Sequence, residues 1–164
     1  SLRPIVPCLW FDSQAEEAAQ FYVEVFPHSR ITNVVHYTDF GTEIHGQPEG
    51  KVMVVTFELD GQPFTALNGG PHFKFTEAVS FQVHCRTQGE VDFYWERLGE
   101  GGDPNAKQRG WLTDRFGLSW QVVPTEAITM MSDPDPVKSQ RAMGAVMTMI
   151  KVDLAAMRQA YEHG

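Results

Sequence analysis

Two hydrophobic spacings alternate along the chain, and their order repeats. Residues 4–11 form a short apolar run of strand length. Ala15, Ala18, Ala19, Tyr22 and Phe26 then recur at helical spacing, so residues 14–26 read as an amphipathic helix. Asp12 or Ser13 is the expected N-cap, and Pro27 ends the helix. Residues 30–40 and 51–59 are β-rich, and Asp60-Gly61 is a hairpin signal leading into 63–68. The first half therefore reads β-α-β-β-β. After Asn68-Gly69-Gly70-Pro71 the order restarts, with an apolar run at 78–85 and a helix over 88–98 that closes at Gly99. Residues 106–111 and 119–123 supply further strands, although 103–110 is polar.

The halves overlay. Phe21-Tyr22 falls on Phe93-Tyr94 at a shift of 72, and the preceding strands overlay at 72 to 73, which sets Pro7 near Ser80. The agreement of shift and element order predicts an internal duplication. Beyond Thr125 the pattern turns helical. Asp133-Pro-Asp-Pro136 opens a helix whose apolar face carries Met143, Val146, Met147, Ile150, Leu154, Met157 and Tyr161, with Asp153 as a second N-cap. The expected organisation is one domain: module one over 3–70, module two over 76–124 and a helical extension over 125–164.

Charge narrows the choice of partners. The chain has 164 residues with a formal charge of −8, and its basic residues are scattered. A polyanion or an anionic membrane surface needs clustered Lys and Arg, so neither nucleic acid nor membrane is an expected partner. No apolar run has the length of a membrane span, and the first residues lack a signal-peptide pattern, so a cytoplasmic location is expected. Cys8 and Cys85 lie in apolar runs without CxxC spacing and read as reduced thiols.

The candidate chemistry sits on strand faces. In 119–123, alternation puts Ser119, Gln121 and Val123 on one side and Trp120 and Val122 on the other. Ser80, Gln82 and His84 share a parity in the strand before the second helix. His84 is the candidate general acid or base, because an imidazole titrates near neutrality. Glu58 is the one carboxylate inside the central strands, and Asp114 reads as the cap of a turn. No HExxH, P-loop, nucleophile elbow or strand-following GxGxxG occurs, so no zinc or nucleotide cofactor is expected from motifs.

Three segments carry a resemblance: Pro7-Cys-Leu-Trp-Phe-Asp12 running into Ala15-Glu-Glu-Ala-Ala-Gln-Phe-Tyr22, Leu67-Asn-Gly-Gly-Pro71, and Asp114-Arg-Phe-Gly-Leu-Ser-Trp-Gln121. With the repeated βαβββ order they make the chain similar to the vicinal oxygen chelate superfamily (glyoxalase I, bleomycin resistance proteins, extradiol dioxygenases). Within it they resemble the PhnB-like branch, often labelled demethylubiquinone methyltransferase-like. The resemblance implies an α+β fold in which two βαβββ modules form a cup-shaped open barrel, followed by C-terminal helices. It also implies a homodimer. In metal-using relatives, the first and last strand of each module each contribute a His or Glu ligand. The matching positions are Pro7, Ser80, Gln121 and either Thr65 or Leu67. Proline, serine, glutamine, threonine and leucine make a poor donor set for a divalent ion, so no metal is expected.

The expected function is therefore the binding of a small molecule on a glyoxalase-like scaffold without its metal. Leu9 and Phe11 would line the site, with Ser80, Gln82 and Gln121 holding a polar group. The alternative is a metal-independent lyase, isomerase or group-transfer enzyme using His84 or Glu58. A third is an interaction module built on the Met-rich tail.

Overall fold

A computed structural model describes residues 3–164 as two compact units, one through Lys74 and the other from Phe75. The first contains β1 (Cys8–Phe11), α1 (Ala15–Val25), β2 (Arg30–His36), a short α2 (Thr42–His45), β3 (Val52–Leu59) and β4 (Gln62–Asn68). Its four strands lie in the order β1-β4-β3-β2, with β1 parallel to β4 and the other pairs antiparallel. Asp60 and Gly61 both have positive φ, 49° and 83°, as a tight Asp-Gly hairpin requires. The β-rich run ends at His36 rather than Phe40, and α2 occupies part of the polar segment beyond it.

α1 lies close to the sheet because alanines face it: Ala15, Ala18 and Ala19 are fully buried. Tyr22 stacks on Phe57 of β3, which stacks in turn on Phe64 of β4. The helix N-terminus differs from expectation. Neither Asp12 nor Ser13 caps it; Gln14 holds the cap position without a side-chain bond. The free Ala15 amide instead donates to Asn68 Oδ1 of β4 at 2.8 Å. Asn68 Nδ2 donates to the Val52 carbonyl and the Asn68 carbonyl accepts from the Tyr37 hydroxyl, so this buried amide joins helix, sheet and loop.

The second unit contains β5 (Ser80–Cys85), α3 (Gln88–Gly99), a 3₁₀ turn (Pro104–Ala106), β6 (Trp111–Thr113), β7 (Ser119–Pro124) and three helices, α4 (Thr125–Met131), α5 (Pro136–Val146) and α6 (Leu154–His163). The sheet order is β5-β7-β6, with β5 parallel to β7. α3 has a strong start: Thr87 accepts the Glu90 amide, and Glu90 reaches back to the Arg86 amide. The architecture is thus mixed α+β, with a four-stranded and a three-stranded sheet and C-terminal helices.

The strand expected near 106–111 begins only at Trp111, as β6. Pro104 has no amide to give a ladder, and Asp103 fixes the 3₁₀ turn by accepting from the Asn105 amide. The following amides, of Arg109 and Gly110, donate to the Met149 and Ile150 carbonyls of the C-terminal segment at 2.7 and 2.8 Å. The side chain of Gln88 fastens the same segment, donating to the Val152 carbonyl and accepting from the Leu154 amide. Lys151 pairs with Asp92 at 2.8 Å, and its hydrogen bond holds the Asp92 carboxyl below the usual range. The apolar face expected along the tail is divided. Val146, Leu154 and Met157 join Ala127, Met130, Ala142 and Val152 in one core, whereas Met143, Met147 and Ile150 are exposed.

Candidate functional site

Each sheet has one face covered by its helix and one turned away from it. In the second unit Phe81, Val83, Trp120, Val122 and Leu112 share the α3 side, since Gly99 of α3 packs on Leu112, which pairs with Trp120. The opposite face carries Ser80, Gln82 and His84 of β5, Ser119 and Gln121 of β7, and Trp111 and Thr113 of β6. Register sets Ser80 beside Ser119, Gln82 beside Gln121, and Trp111 beside Gln121.

Four of these side chains form one hydrogen-bonded line. His84 Nε2 lies 3.1 Å from Gln82 Oε1, Gln82 Nε2 3.4 Å from Gln121 Oε1, and Gln121 Nε2 2.9 Å from Ser80 Oγ. With the amides in this orientation every donor points the same way. In the tautomer that places the imidazole proton on His84 Nε2 the Nδ1 lone pair stays free, while the Ser80 hydroxyl keeps its own proton to donate. The line therefore ends in an acceptor at one side and a donor at the other. His84 and Gln82 are exposed and Gln121 is half-buried, so the line is accessible on that face.

Asp114, buried at the turn before β7, holds the strand bearing Gln121. Its Oδ1 accepts the Phe116 and Leu118 amides at 2.9 and 3.1 Å, and its Oδ2 accepts the Trp120 indole at 2.9 Å. Gly117 completes the turn at φ 88°. The carboxylate anchors one face of β7 and so aims Gln121 from the other.

The first unit corrects two sequence readings. Leu9 and Phe11 do not join the helix-free face. They pair with Ala66 and Asn68 on the α1 side and are core residues, 6% and 3% exposed. Cys8, Trp10, Thr65 and Leu67 occupy the other face. The overlay on Ser80 therefore falls on Cys8, at a shift of 72, and Pro7 has the wrong parity. Pairing then makes Leu67 the counterpart of Gln121: Trp10 sits beside Leu67 as Gln82 sits beside Gln121. Trp10 lies over Gly69, where any Cβ would collide with the ring, and its indole donates to the Gly70 carbonyl at 2.9 Å. The ring explains Gly69, and Gly70 is required by its φ of 93°.

Glu58 lies on the helix-free face of β3 and pairs with Arg30 across the strands at 3.5 Å. Burial raises the Cys8 thiol above its ordinary range. Burial, with a smaller contribution from the Glu90 carboxylate, pushes Cys85 up to about 12. Neither thiol is poised as a thiolate at neutral pH. Among the described residues no three His, Cys, Asp or Glu side chains cluster to hold a metal ion, and no helix is long and apolar enough to cross a membrane.

The repeated strand–helix–strand units and a helix-free sheet face bearing the candidate polar residues are those of the vicinal oxygen chelate class. The family model described as 3-demethylubiquinone-9 3-methyltransferase matches residues 3–123, and the chain belongs to this PhnB-like family. A PhnB protein from Bacillus cereus is 34% identical over 74% of this chain and 99% of its own, with a TM-score of 0.63. A Pseudomonas aeruginosa protein shares the fold at 22% identity, covering 76% of this chain and 98% of its own, with a TM-score of 0.58. No curated protein matches the chain. The helices beyond Pro124 lie outside the family match.

Proposed function

We propose that the protein binds a small organic molecule on the helix-free face of the second sheet, without the metal ion used elsewhere in the superfamily. The observation that carries this reading is the line His84–Gln82–Gln121–Ser80, whose ends offer one acceptor and one donor. Ser80 and His84 are four residues apart on β5, about 13 Å at about 3.3 Å per residue, so the ends suit a ligand whose hydroxyl or amine and carbonyl stand far apart. The positions corresponding to superfamily ligands hold Cys8, Leu67, Ser80 and Gln121. None is an imidazole or carboxylate, and the one thiol, on an exposed residue, has its pKa raised rather than lowered.

The alternative is catalysis by His84. Its free Nδ1 favours the imidazole as a base over Glu58, whose carboxylate is engaged by Arg30. Methyl transfer is not part of the proposal. Gly99-Glu-Gly-Gly102 follows the C-terminal end of α3, so it is not a strand–glycine–helix turn of the kind that holds a methyl donor's nucleoside. A homodimer remains part of the reading, supported by the exposed Val137, Met143, Met147 and Ile150.

The test is a fragment screen followed by NMR of protein labelled at glutamine and histidine side chains. Fragments bearing a hydroxyl or amine at one end and a carbonyl at the other should shift the Gln82 and Gln121 carboxamide and His84 imidazole signals together. Shifts confined to the first unit or the tail would overturn the assignment.

A further inference from the structure

We propose that the second unit also holds a cavity beside the hydrogen-bonded line that takes a small zwitterion, a molecule carrying an ammonium group and a carboxylate, of amino-acid to dipeptide size. The proposal rests on the small-molecule reading above and names the ligand class. The cavity has a volume of about 560 Å³ and is half open to solvent, with Glu77, Asp103 and Arg109 exposed at its rim. It lies between the 3₁₀ turn and β6.

Its floor contains Ser119, which is 1% exposed on β7 between Ser80 and Thr113 in the register. The Ser119 hydroxyl is buried and has no hydrogen-bond partner among the described residues. Protein interiors rarely leave a hydroxyl in this state, because water has been lost and nothing returned. A polar group on a ligand supplies the missing bond once the side chains covering that oxygen shift aside.

The walls carry charges of both signs. Arg109 is the cation, and it stands in the left-handed region at φ 56°, where an arginine is strained. That backbone state is what sends its amide to Met149 and the next amide to Ile150. Its guanidinium has no ion pair or hydrogen bond with a described residue, so its planar fork is available to a carboxylate. Glu77 and Asp103 are the anions. Asp103 is fixed through one oxygen by the Asn105 amide, which leaves the other for an ammonium group. Trp111 contributes an aromatic wall suited to an ammonium or an apolar side chain. With two carboxylates against one guanidinium, a simple anion meets net repulsion and a simple cation leaves Arg109 unpaired. A zwitterion satisfies both.

Calorimetry on the full chain with three matched probes tests this: L-phenylalanine, 3-phenylpropionate, which lacks the amine, and 2-phenylethylamine, which lacks the carboxylate. L-phenylalanine should bind at least about tenfold more tightly than either analogue, since each loses a charge-assisted contact. Arg109→Gln should weaken L-phenylalanine about tenfold or more yet leave 2-phenylethylamine within about twofold, which separates a carboxylate contact from a folding defect. Ser119→Ala should weaken L-phenylalanine by about three- to tenfold. No binding of L-phenylalanine, equal binding of all three probes, or indifference to Arg109→Gln would overturn the proposal. If those outcomes occur while fragments still shift Gln82 and Gln121, only this cavity fails; if those shifts are absent too, the broader reading fails with it.

Discussion

Asp114→Ala is expected to destabilise the second unit by about 3–5 kcal/mol, since hydrogen bonds to a buried charged group contribute about 1.5–3 kcal/mol each and are not additive. The carboxylate accepts two turn amides and the Trp120 indole while almost fully buried. Removing it leaves three donors without their partner. Asp114→Asn should recover part of the loss. Its oxygen can serve the Phe116 and Leu118 amides, but its NH₂ then faces the Trp120 N–H, donor against donor. Urea unfolding followed by tryptophan fluorescence measures both variants. A loss below about 1 kcal/mol for the alanine variant would show that the turn is held by other means. The prediction also bears on the site, because β7 carries Trp120 toward α3 and Gln121 toward the opposite face. A loosened turn should broaden the Gln121 carboxamide signals along with the Trp120 indole.

The second large effect is expected at Gly102, for a reason of space. A Cβ there would collide with the Thr113 carbonyl oxygen and lie 3.1–3.2 Å from the Thr113 and Asp114 carbonyl carbons. These are backbone atoms of β6 and of the Asp114 turn, so no rotamer change relieves the contact. Gly102→Ala should therefore destabilise by about 2–4 kcal/mol, at or above the usual range for overpacking. Gly144→Ala is the control. It lies inside α5 with nothing within 4 Å of its Cβ, and alanine should stabilise by about 0.5–1 kcal/mol there. Parallel urea curves test the pair. A Gly102→Ala protein as stable as the parent would mean that β6 is displaced from the position described.

The polar face of the second sheet was legible in the sequence because its alternation is informative. Ser80, Gln82 and His84 are polar while Phe81, Val83 and Cys85 are apolar, so one face declares itself. Gln121 between Trp120 and Val122 declares the same face of β7. The first strand offers no such contrast. Leu9, Trp10 and Phe11 are all apolar, and an overlay at 73 rather than 72 residues exchanges the faces of the strand. That slip placed Leu9 and Phe11 on the ligand side and set Pro7 where Cys8 stands. The remaining differences come from partners distant in sequence. Asn68 caps α1 from 53 residues away, and the tail carbonyls that engage Arg109 and Gly110 lie about forty residues downstream. The unpartnered Ser119 hydroxyl has no local signal, since a serine in a strand usually meets a neighbour or water.

The claim that this scaffold binds its ligand without a resident metal is tested most directly by elemental analysis of protein purified without chelators. Residues Cys8, Leu67, Ser80 and Gln121 predict far less than one equivalent of any transition metal per chain. One equivalent of a transition metal, retained through gel filtration and lost together with ligand binding on chelation, would contradict the account.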